Sequence, residues 1–291
     1  MVRAAASPPD IPGRYWRSVA IASSLLSAAT AGVYWRVRSR NPYQPVLERL
    51  TLPVAGIHRS LAGLRIGFVS DVHAGPFIDR DSIRTACCLL ERESPHLILF
   101  GGDYVSESPR FLESSMPVLG ALAATASLGG FAVLGNHDIF VSASQVTAAL
   151  ESAGIAVLRN EARPIAWQGS TLWIVGIDDS LHGRPDLDKA FCEVRAGDPA
   201  LALWHEPQFA AGTAARGAIA QLSGHTHGGQ VRLPGIRPVW LPQHGRRFVT
   251  GLHNVMGMPV YTSRGVGVYR PPVRLNCPPE VTLISFEVEE D

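Results

Sequence analysis

The chain has 291 residues, of which 46% are hydrophobic, and its formal net charge at pH 7 is +1. This composition supplies enough apolar side chains for a large core and excludes an intrinsically disordered chain. The near-neutral charge gives no extended basic field, so nucleic acid is not expected as a partner. Four cysteines without a CxxC pair indicate neither a zinc ribbon nor a disulfide framework.

The first forty residues differ from the rest of the chain. Residues 18–35 (SVAIASSLLSAATAGVYW) carry no charge, and arginines and aromatic residues lie at both ends. About 20 apolar residues span a bilayer, and aromatic residues favour its two interfaces. We therefore predict a single membrane anchor within residues 1–40, with a cleaved signal peptide and an amphipathic helix as alternatives. Arginines on both sides do not decide which face of the membrane the domain occupies.

A linker that turns into an edge strand is predicted for residues 41–60, and a compact domain for residues 61–291. Short apolar runs that end in polar turns predict buried strands at LRIGFVSD (64–71), HLILFGGD (96–103) and GGFAVLGNHD (129–138). Helical spacing follows each of them, at residues 79–93, 111–125 and 142–154. Pro117 is an unusual member of the second helix.

The second half of the chain is rich in strands. These are predicted at TLWIVGIDD (171–179), ALALWHEP (200–207), IAQLSGHTHGG (219–229), MPVYTSRG (258–265) and EVTLISFEVEE (280–290). Alternating strands and helices followed by further strands favour an α/β domain in which two mixed sheets pack together and helices cover them.

Polar side chains follow strand after strand at the predicted carboxyl ends, where α/β proteins bind ligands. They are the carboxylates, imidazoles and amide Asp71, His73, Asp103, Asn136, His137, Asp138, His205, His225 and His227. Carboxylate and imidazole ligands without a thiolate favour Mn, Fe or Zn in a reactive site rather than a structural zinc.

The ordered motifs D-x-H, G-D, G-N-H-D, H and G-H-T-H resemble the calcineurin-like metallophosphoesterase family from about residue 64 to residue 286. The chain is more specifically similar to the membrane-associated YkuE/YaeI-like branch of this family, through the motifs GHTHGGQ and SRGVG and the N-terminal hydrophobic segment. That branch includes UDP-2,3-diacylglucosamine hydrolases of lipid A synthesis. The resemblance implies a four-layer α/β/β/α sandwich that holds two divalent metal ions.

The resemblance also implies roles for individual residues. Asp71, His73 and His227 would hold one metal ion, while Asn136, His205 and His225 would hold the other, with Asp103 bridging both. His137 would act as the catalytic group beside the metals, with Asp138 orienting it. Independently of the resemblance, arginines cluster late in the chain. They indicate either scattered surface charge or a basic rim for a substrate phosphate, for which Arg264 in SRG is the strongest candidate.

Two metal ions suit a phosphate ester because they can clamp its oxygens and activate water. We therefore expect a dinuclear hydrolase of a phosphoester or pyrophosphate bond. The predicted anchor favours a membrane-associated, lipid-linked substrate such as UDP-2,3-diacylglucosamine. The alternatives are a general phosphodiesterase or phosphatase for soluble substrates and an inactive metal-binding scaffold. The sequence does not specify the oligomeric state.

Overall fold

The computed structural model describes residues 20–25, 27–28, 32, 44–54, 61–238 and 240–287. Residues 42–291 form one compact unit. Most of the predicted anchor lies outside the described residues. Among the described residues, no helix combines the length and the apolar character needed to cross a bilayer.

Two six-stranded sheets organise the described part of the compact unit. The strands are β1 (Val46–Leu52), β2 (Ile66–Val69), β3 (Leu97–Phe100), β4 (Gly130–Ala132), β5 (Ile155–Val157), β6 (Glu161–Trp167), β7 (Ser170–Gly176), β8 (Ala200–Leu203), β9 (Ala220–Ser223), β10 (Gly251–Val255), β11 (Met258–Thr262) and β12 (Glu280–Phe286). The helices are α1 (Arg80–Glu91), α2 (Leu112–Thr125), α3 (Asn136–Ser152), α4 (Leu187–Phe191) and α5 (Ala210–Ala214).

Both sheets are mixed, as predicted. The first has the order β1-β12-β2-β3-β4-β5, and the second has the order β10-β11-β9-β8-β7-β6. Strands β2 to β5 are parallel, and β12 runs antiparallel to β2 and parallel to β1. In the second sheet β7, β8, β9 and β11 are parallel, with antiparallel neighbours at both edges. The carboxyl ends of the parallel strands therefore gather at one end of each sheet.

The side chains of β3 point alternately to the two faces of the first sheet and show how the layers pack. Ile98 and Phe100 face α1 to α3 in one core cluster, whereas Leu97 and Leu99 face the second sheet in another. Successive strand residues point to opposite faces, so a strand buried on both sides has no polar position. A third cluster lies between the second sheet and α4 and α5. The predicted two-sheet architecture with flanking helices is confirmed.

Helices α2 and α3 differ in detail from expectation. Pro117 lies within α2, but on its exposed side, where the carbonyl group that loses its hydrogen bond can reach water. Helix α3 begins at Asn136, inside the GNHD motif, and is interrupted at Ser142. The predicted helix of residues 142–154 corresponds to its second part. The four cysteines are free thiols.

Replacing Leu99 by alanine tests the packing between the sheets. Leu99 is completely buried, so the substitution should lower the free energy of unfolding by about 2–5 kcal/mol. The measurement is the urea midpoint of the full chain. Leu252→Ala is the control because Leu252 is 41% exposed on β10, and its effect should stay within about 0.5 kcal/mol. Equal effects of the two substitutions would contradict the described core.

Candidate metal centre

The predicted ligands lie in loops that leave the carboxyl ends of strands in both sheets. Backbone hydrogen bonds tie these loops together within each sheet, as in Asp71 N–H to the carbonyl of Gly102 (2.9 Å) and Gly224 N–H to that of His205 (2.9 Å). A side-chain bond joins the two sheets, because His225 N–H donates to Oδ1 of Asp71 at 2.8 Å. The loops of both sheets therefore form one site.

The loop backbone is strained where the ligands lie. Left-handed φ values of 48° to 73° occur at Asp71, His73, Asp103, His225 and His227. This region is uncommon for residues other than glycine and is concentrated at functional sites. The strain turns five polar side chains towards a common point.

Two glycines allow the loops to approach. A Cβ atom at Gly135 would lie 2.2 Å from Oδ1 of Asp103, and one at Gly224 would lie 1.9 Å from Oγ of Ser70. Both distances are shorter than any permitted contact, and a larger residue at either position would also displace a ligand carboxylate, that of Asp103 or of Asp71. The glycines of GNHD and GHTH are therefore part of the geometry of the site.

The first predicted group of ligands is assembled. The ligand atoms of Asp71, His73 and His227 lie within 4.8 Å of one another. Nε2 of His227 is 3.0 Å from Nε2 of His73 and 3.5 Å from Oδ1 of Asp71. Three donor atoms that converge in this way can hold one divalent cation.

The second group lies beside the first, with Asp103 between them. Oδ2 of Asp103 is 3.3 Å from Nε2 of His73 and 3.3 Å from Nε2 of His205. Nδ1 of His225 is 3.0 Å from Oδ1 of Asn136, and the rings of His205 and His225 are 5.1 Å apart. The structure thus brings all seven predicted ligands together, with one carboxylate facing both groups.

Hydrogen bonds of the histidine rings fit a metal site. Nδ1 of His205 bonds to the carbonyl of Gly101 at 2.7 Å, and Nε2 of His225 bonds to that of Gln243 at 2.7 Å. Because a carbonyl only accepts, each of these nitrogens carries the proton and the other is free to bind a metal. In the described part of the chain, Nε2 of His205 is a buried atom without a hydrogen bond, although it faces Asp103.

Two of the histidines are neutral at pH 7. The pKa of His225 falls to about 4 because the ring is buried and His205 lies nearby. Burial and the neighbouring His73 hold the pKa of His227 well below its ordinary value. Neutral imidazole is the form that binds a metal.

The buried carboxylates require positive charge close by. Burial raises the pKa of Asp71, and the Asp103 carboxylate adds to that rise. Burial also acts to raise the pKa of Asp103, but His205 and His137 hold it well below its ordinary value. Metal ions between these groups would supply that charge directly and leave His205 neutral. The donor set therefore fits two divalent ions.

His137 packs beside the cluster, and a neighbouring loop orients it. Its ring centroid is 4.8 Å from that of His73, and Nδ1 lies 3.1 Å from the carbonyl oxygen of Ser106. The backbone N–H of His137 donates to Oδ1 of Asp103 at 2.9 Å. The hydroxyl of Ser106 also lies 3.2 Å from Nδ1 of His73. Ser106 was not recognised in the sequence, because its contact with His137 is through a carbonyl group, which any residue could provide.

Asp138 has a different contact from the predicted one. It is completely buried, and its carboxylate accepts the backbone N–H groups of Asp103 at 2.7 Å, Tyr104 at 2.8 Å and Gly135 at 2.9 Å. Burial raises its pKa to about 7, with the Asp103 carboxylate adding to the rise and the N–H groups opposing it. Asp138 therefore does not orient the His137 ring; it fixes the loop that carries Asp103.

Arg264 also differs from its predicted role. Its guanidinium group forms ion pairs with Glu48 and Glu280 and does not line the cavity above the metal ligands. The neighbouring Arg274 is buried and donates to backbone carbonyls of the same loop, including that of Gly267 at 2.6 Å. These two arginines hold the SRGVG loop in place, and neither meets a substrate phosphate in this arrangement.

A cavity of about 250 Å³ opens above the cluster. Its floor consists of ligands and of the catalytic candidate, and its walls are largely apolar. The floor contains Asp103, Asn136, His137, His225 and His227, and the walls contain Gln230, Trp240, Leu241, Pro242, Tyr269 and Arg270.

Comparison with known proteins agrees with this geometry. Residues 64–229, more than half of the chain, match the family described as calcineurin-like phosphoesterase. The chain belongs to this family. It is a metallophosphoesterase, a hydrolase that acts on phosphoesters, as the order of motifs predicted. All seven predicted ligands lie within the matched range.

Three relatives show how far the similarity extends. The chain is 29% identical to the uncharacterized metallophosphoesterase YkuE of Bacillus subtilis, covering 92% of this chain and 94% of that protein. It is 36% identical to the phosphodiesterase YaeI of Escherichia coli, covering 77% and 83%. It is 29% identical to a transmembrane protein with metallophosphoesterase domain of Danio rerio, covering 91% of this chain and 62% of that protein.

Asp138→Asn tests whether Asp138 acts through the loop. The asparagine amide would point its NH₂ group at backbone donors, and each buried N–H left without an acceptor costs about 1–3 kcal/mol. We expect a lower unfolding midpoint in urea and a lower Mn²⁺ content after dialysis. Asp186→Asn is the matched control, because Asp186 is an exposed N-cap and asparagine caps equally well. A wild-type midpoint with abolished turnover would instead support the catalytic role first predicted.

Proposed function

We propose that this metallophosphoesterase uses two divalent metal ions to hydrolyse a phosphoester or pyrophosphate bond in a membrane-associated substrate. The observation that carries the proposal is the convergence of seven ligands from two sheets around Asp103. In this proposal Asp71, His73 and His227 hold one ion. Asn136, His205 and His225 hold the other, and Asp103 bridges them. The metals are Mn, Fe or Zn, which carboxylate and imidazole ligands suit.

The metal ions would polarise the phosphoryl oxygens and activate a water molecule. The residues of the chain have complementary tasks. The strained loops and buried hydrogen bonds hold the ligands in place before substrate arrives, so little reorganisation is needed during reaction. The apolar cavity walls exclude bulk water, which strengthens the charge interactions at the floor.

His137 is placed to protonate the leaving oxygen. Since its Nδ1 bonds to the carbonyl of Ser106, the proton that can be transferred is on Nε2, which has no hydrogen-bond partner among the described residues. Burial lowers the pKa of His137, and this favours release of the proton from the imidazolium form. A general acid of this kind contributes about 10²- to 10⁴-fold to a rate.

Three features support a membrane-associated substrate. The uncharged segment at residues 18–35 has a length near that of a bilayer span, and one relative is a transmembrane protein with the same domain. Trp240 lines the cavity, and Leu233, Ile236 and Trp240 are 48–57% exposed, in a segment that also contains Arg232 and Arg237. Exposed apolar side chains mixed with basic ones are typical of surfaces that contact anionic lipid.

An amphiphilic pyrophosphate such as UDP-2,3-diacylglucosamine is therefore the substrate we propose. A soluble phosphodiester is the alternative. Assays of the purified full chain with lipid-linked and nucleotide-linked pyrophosphates would separate them. Faster turnover of soluble esters than of every lipid-linked compound would favour the alternative.

Asp103→Asn and His137→Ala test the assigned roles. An amide serves two cations poorly, so Asp103→Asn should lower the metal content below two ions per chain and abolish hydrolysis of a p-nitrophenyl phosphoester with Mn²⁺. His137→Ala should retain both ions and lower kcat by about 10²- to 10⁴-fold.

His253→Ala is the matched control, because the ring of His253, on β10, bonds to the carbonyl of Thr250 and does not line the cavity. Wild-type turnover in Asp103→Asn or His137→Ala would overturn the mechanism. A wild-type protein that binds both metals but hydrolyses no ester would support the inactive scaffold.

The anchor is tested by Leu25→Arg in the full chain. An arginine at the centre of a membrane helix costs about 2.5–3.5 kcal/mol, so the variant should move from the carbonate-resistant membrane fraction to the soluble fraction. Leu25→Ile should remain in the membrane fraction. The mass of the mature N-terminus shows whether the segment is cleaved. Unchanged membrane association of Leu25→Arg would contradict the anchor.

A further inference from the structure

Gln230, the last residue of GHTHGGQ, is buried but lies outside the predicted metal ligands. Its side-chain amide bonds to a single short segment. Oε1 accepts the backbone N–H of Tyr269 at 2.7 Å, and Nε2 donates to the carbonyls of Tyr269 and Pro271, both at 3.1 Å. An amide that uses its acceptor and both of its donors on one segment fixes the position and direction of that segment.

The backbone of Gln230 connects the same segment to the metal centre. Its N–H donates to the carbonyl of His227 at 3.1 Å, and its own carbonyl accepts the N–H of Leu275 at 2.8 Å. Its φ of 50° is left-handed, and the chain turns sharply at this position. The residue that follows the ligand loop therefore holds a second loop against it.

The result of this contact is the placement of the Tyr269 ring. Its centroid is 4.6 Å from that of His137 and 5.7 Å from that of His73, although the residue is 39% exposed. The ring lines the cavity together with Trp240, which is 55% exposed. Partly exposed aromatic rings at the mouth of a cavity are available for contact with a ligand.

Geometry decides which part of a substrate would meet this wall. The metal ligands at the floor place the phosphorus, and His137 is the group that gives a proton to the leaving oxygen. During hydrolysis the bond between phosphorus and that oxygen breaks, and water oxygen forms the new bond. The group attached to the leaving oxygen must therefore lie beside His137, where Tyr269 packs.

We infer that Tyr269 and Trp240 form a leaving-group subsite that favours phosphoesters with an aromatic or other apolar leaving group, and that Gln230 positions it. This inference rests on the proposed hydrolytic function. The cavity of about 250 Å³ is at the small end for ligand sites, so it holds the phosphoryl group and the adjoining part of the leaving group. Contact between aromatic groups supplies about a 2- to 10-fold preference.

The experiment uses the full chain with Mn²⁺ and two phosphoesters that differ only in the leaving group, p-nitrophenyl in one and trifluoroethyl in the other. The measured quantity is kcat/KM for each. The ratio of aryl to alkyl ester in a variant, divided by the ratio in the wild type, cancels the intrinsic reactivity of the two esters. Tyr269→Ala should lower this ratio about 2- to 10-fold. Tyr269→Phe should leave it within about twofold, because the ring is retained.

Gln230→Met removes the hydrogen bonds of the side-chain amide at nearly constant side-chain volume. It should lower the same aryl-to-alkyl ratio while the metal content stays at the wild-type value. If Gln230 acts through Tyr269, the double variant Gln230→Met/Tyr269→Ala should match Tyr269→Ala alone, because the effects of coupled residues do not add. Additive effects, or an equal loss for both esters in Gln230→Met, would overturn the positioning role.

Phe140→Ala is the matched control, since Phe140 is an aromatic residue that is 74% exposed and does not line the cavity. Its ratio should equal that of the wild type. Hydrolysis of both esters with an unchanged ratio in Tyr269→Ala would overturn the subsite. Hydrolysis of neither ester by the metal-loaded wild type would instead refute the proposed function.

Discussion

Two buried carboxylates, Asp71 and Asp103, hold the metal centre together. Oδ1 of Asp71 accepts the backbone N–H of His225 from the opposite sheet, and Oδ1 of Asp103 accepts that of His137. Each carboxylate therefore joins loops and also faces the cluster. Buried carboxylates are costly unless they are paired with positive charge. These two carboxylates would therefore be stabilised by bound cations, and their positions define where those cations would lie.

The rigid sheets are what make this arrangement possible. Five of the seven ligand positions have left-handed φ values, and each such residue costs of order 1–3 kcal/mol. Local sequence alone cannot hold so much strain. The parallel strands begin and end in fixed register, and the Asp138 carboxylate accepts four N–H groups of the same loops. The fold therefore stabilises a loop geometry that the isolated loops would not adopt.

The sequence predicted the features that depend on side-chain type and on the spacing of apolar residues, namely the buried strands and the ligands at their ends. The strands that end at Asp71, Asp103, His205 and His225 were readable because short apolar runs end in glycine and polar residues. The set of ligands followed from the order of those endings. Strands β5, β6 and β10 were not predicted, because they are short or carry polar residues on one face.

Contacts that depend on tertiary structure could not be read in this way. Ser106 orients His137 through a carbonyl group, which has no signature in sequence. Arg264 pairs with Glu48, 216 residues away, and no local pattern connects the two. Asp138 lies next to His137 in the chain, yet the start of α3 turns its carboxylate towards the Asp103 loop instead.

The position of β12 has a consequence for biosynthesis. This strand is the last one among the described residues but lies between β1 and β2, and its Glu280 accepts the N–H of Arg264 at 2.9 Å and the hydroxyl of Tyr261 at 2.8 Å. A nascent chain on the ribosome therefore lacks the central partner of β2, the strand that leads to Asp71. Because β12 must be in place before β2 is paired on both sides, the catalytic loops can reach their final arrangement only after residues 280–286 have left the ribosome.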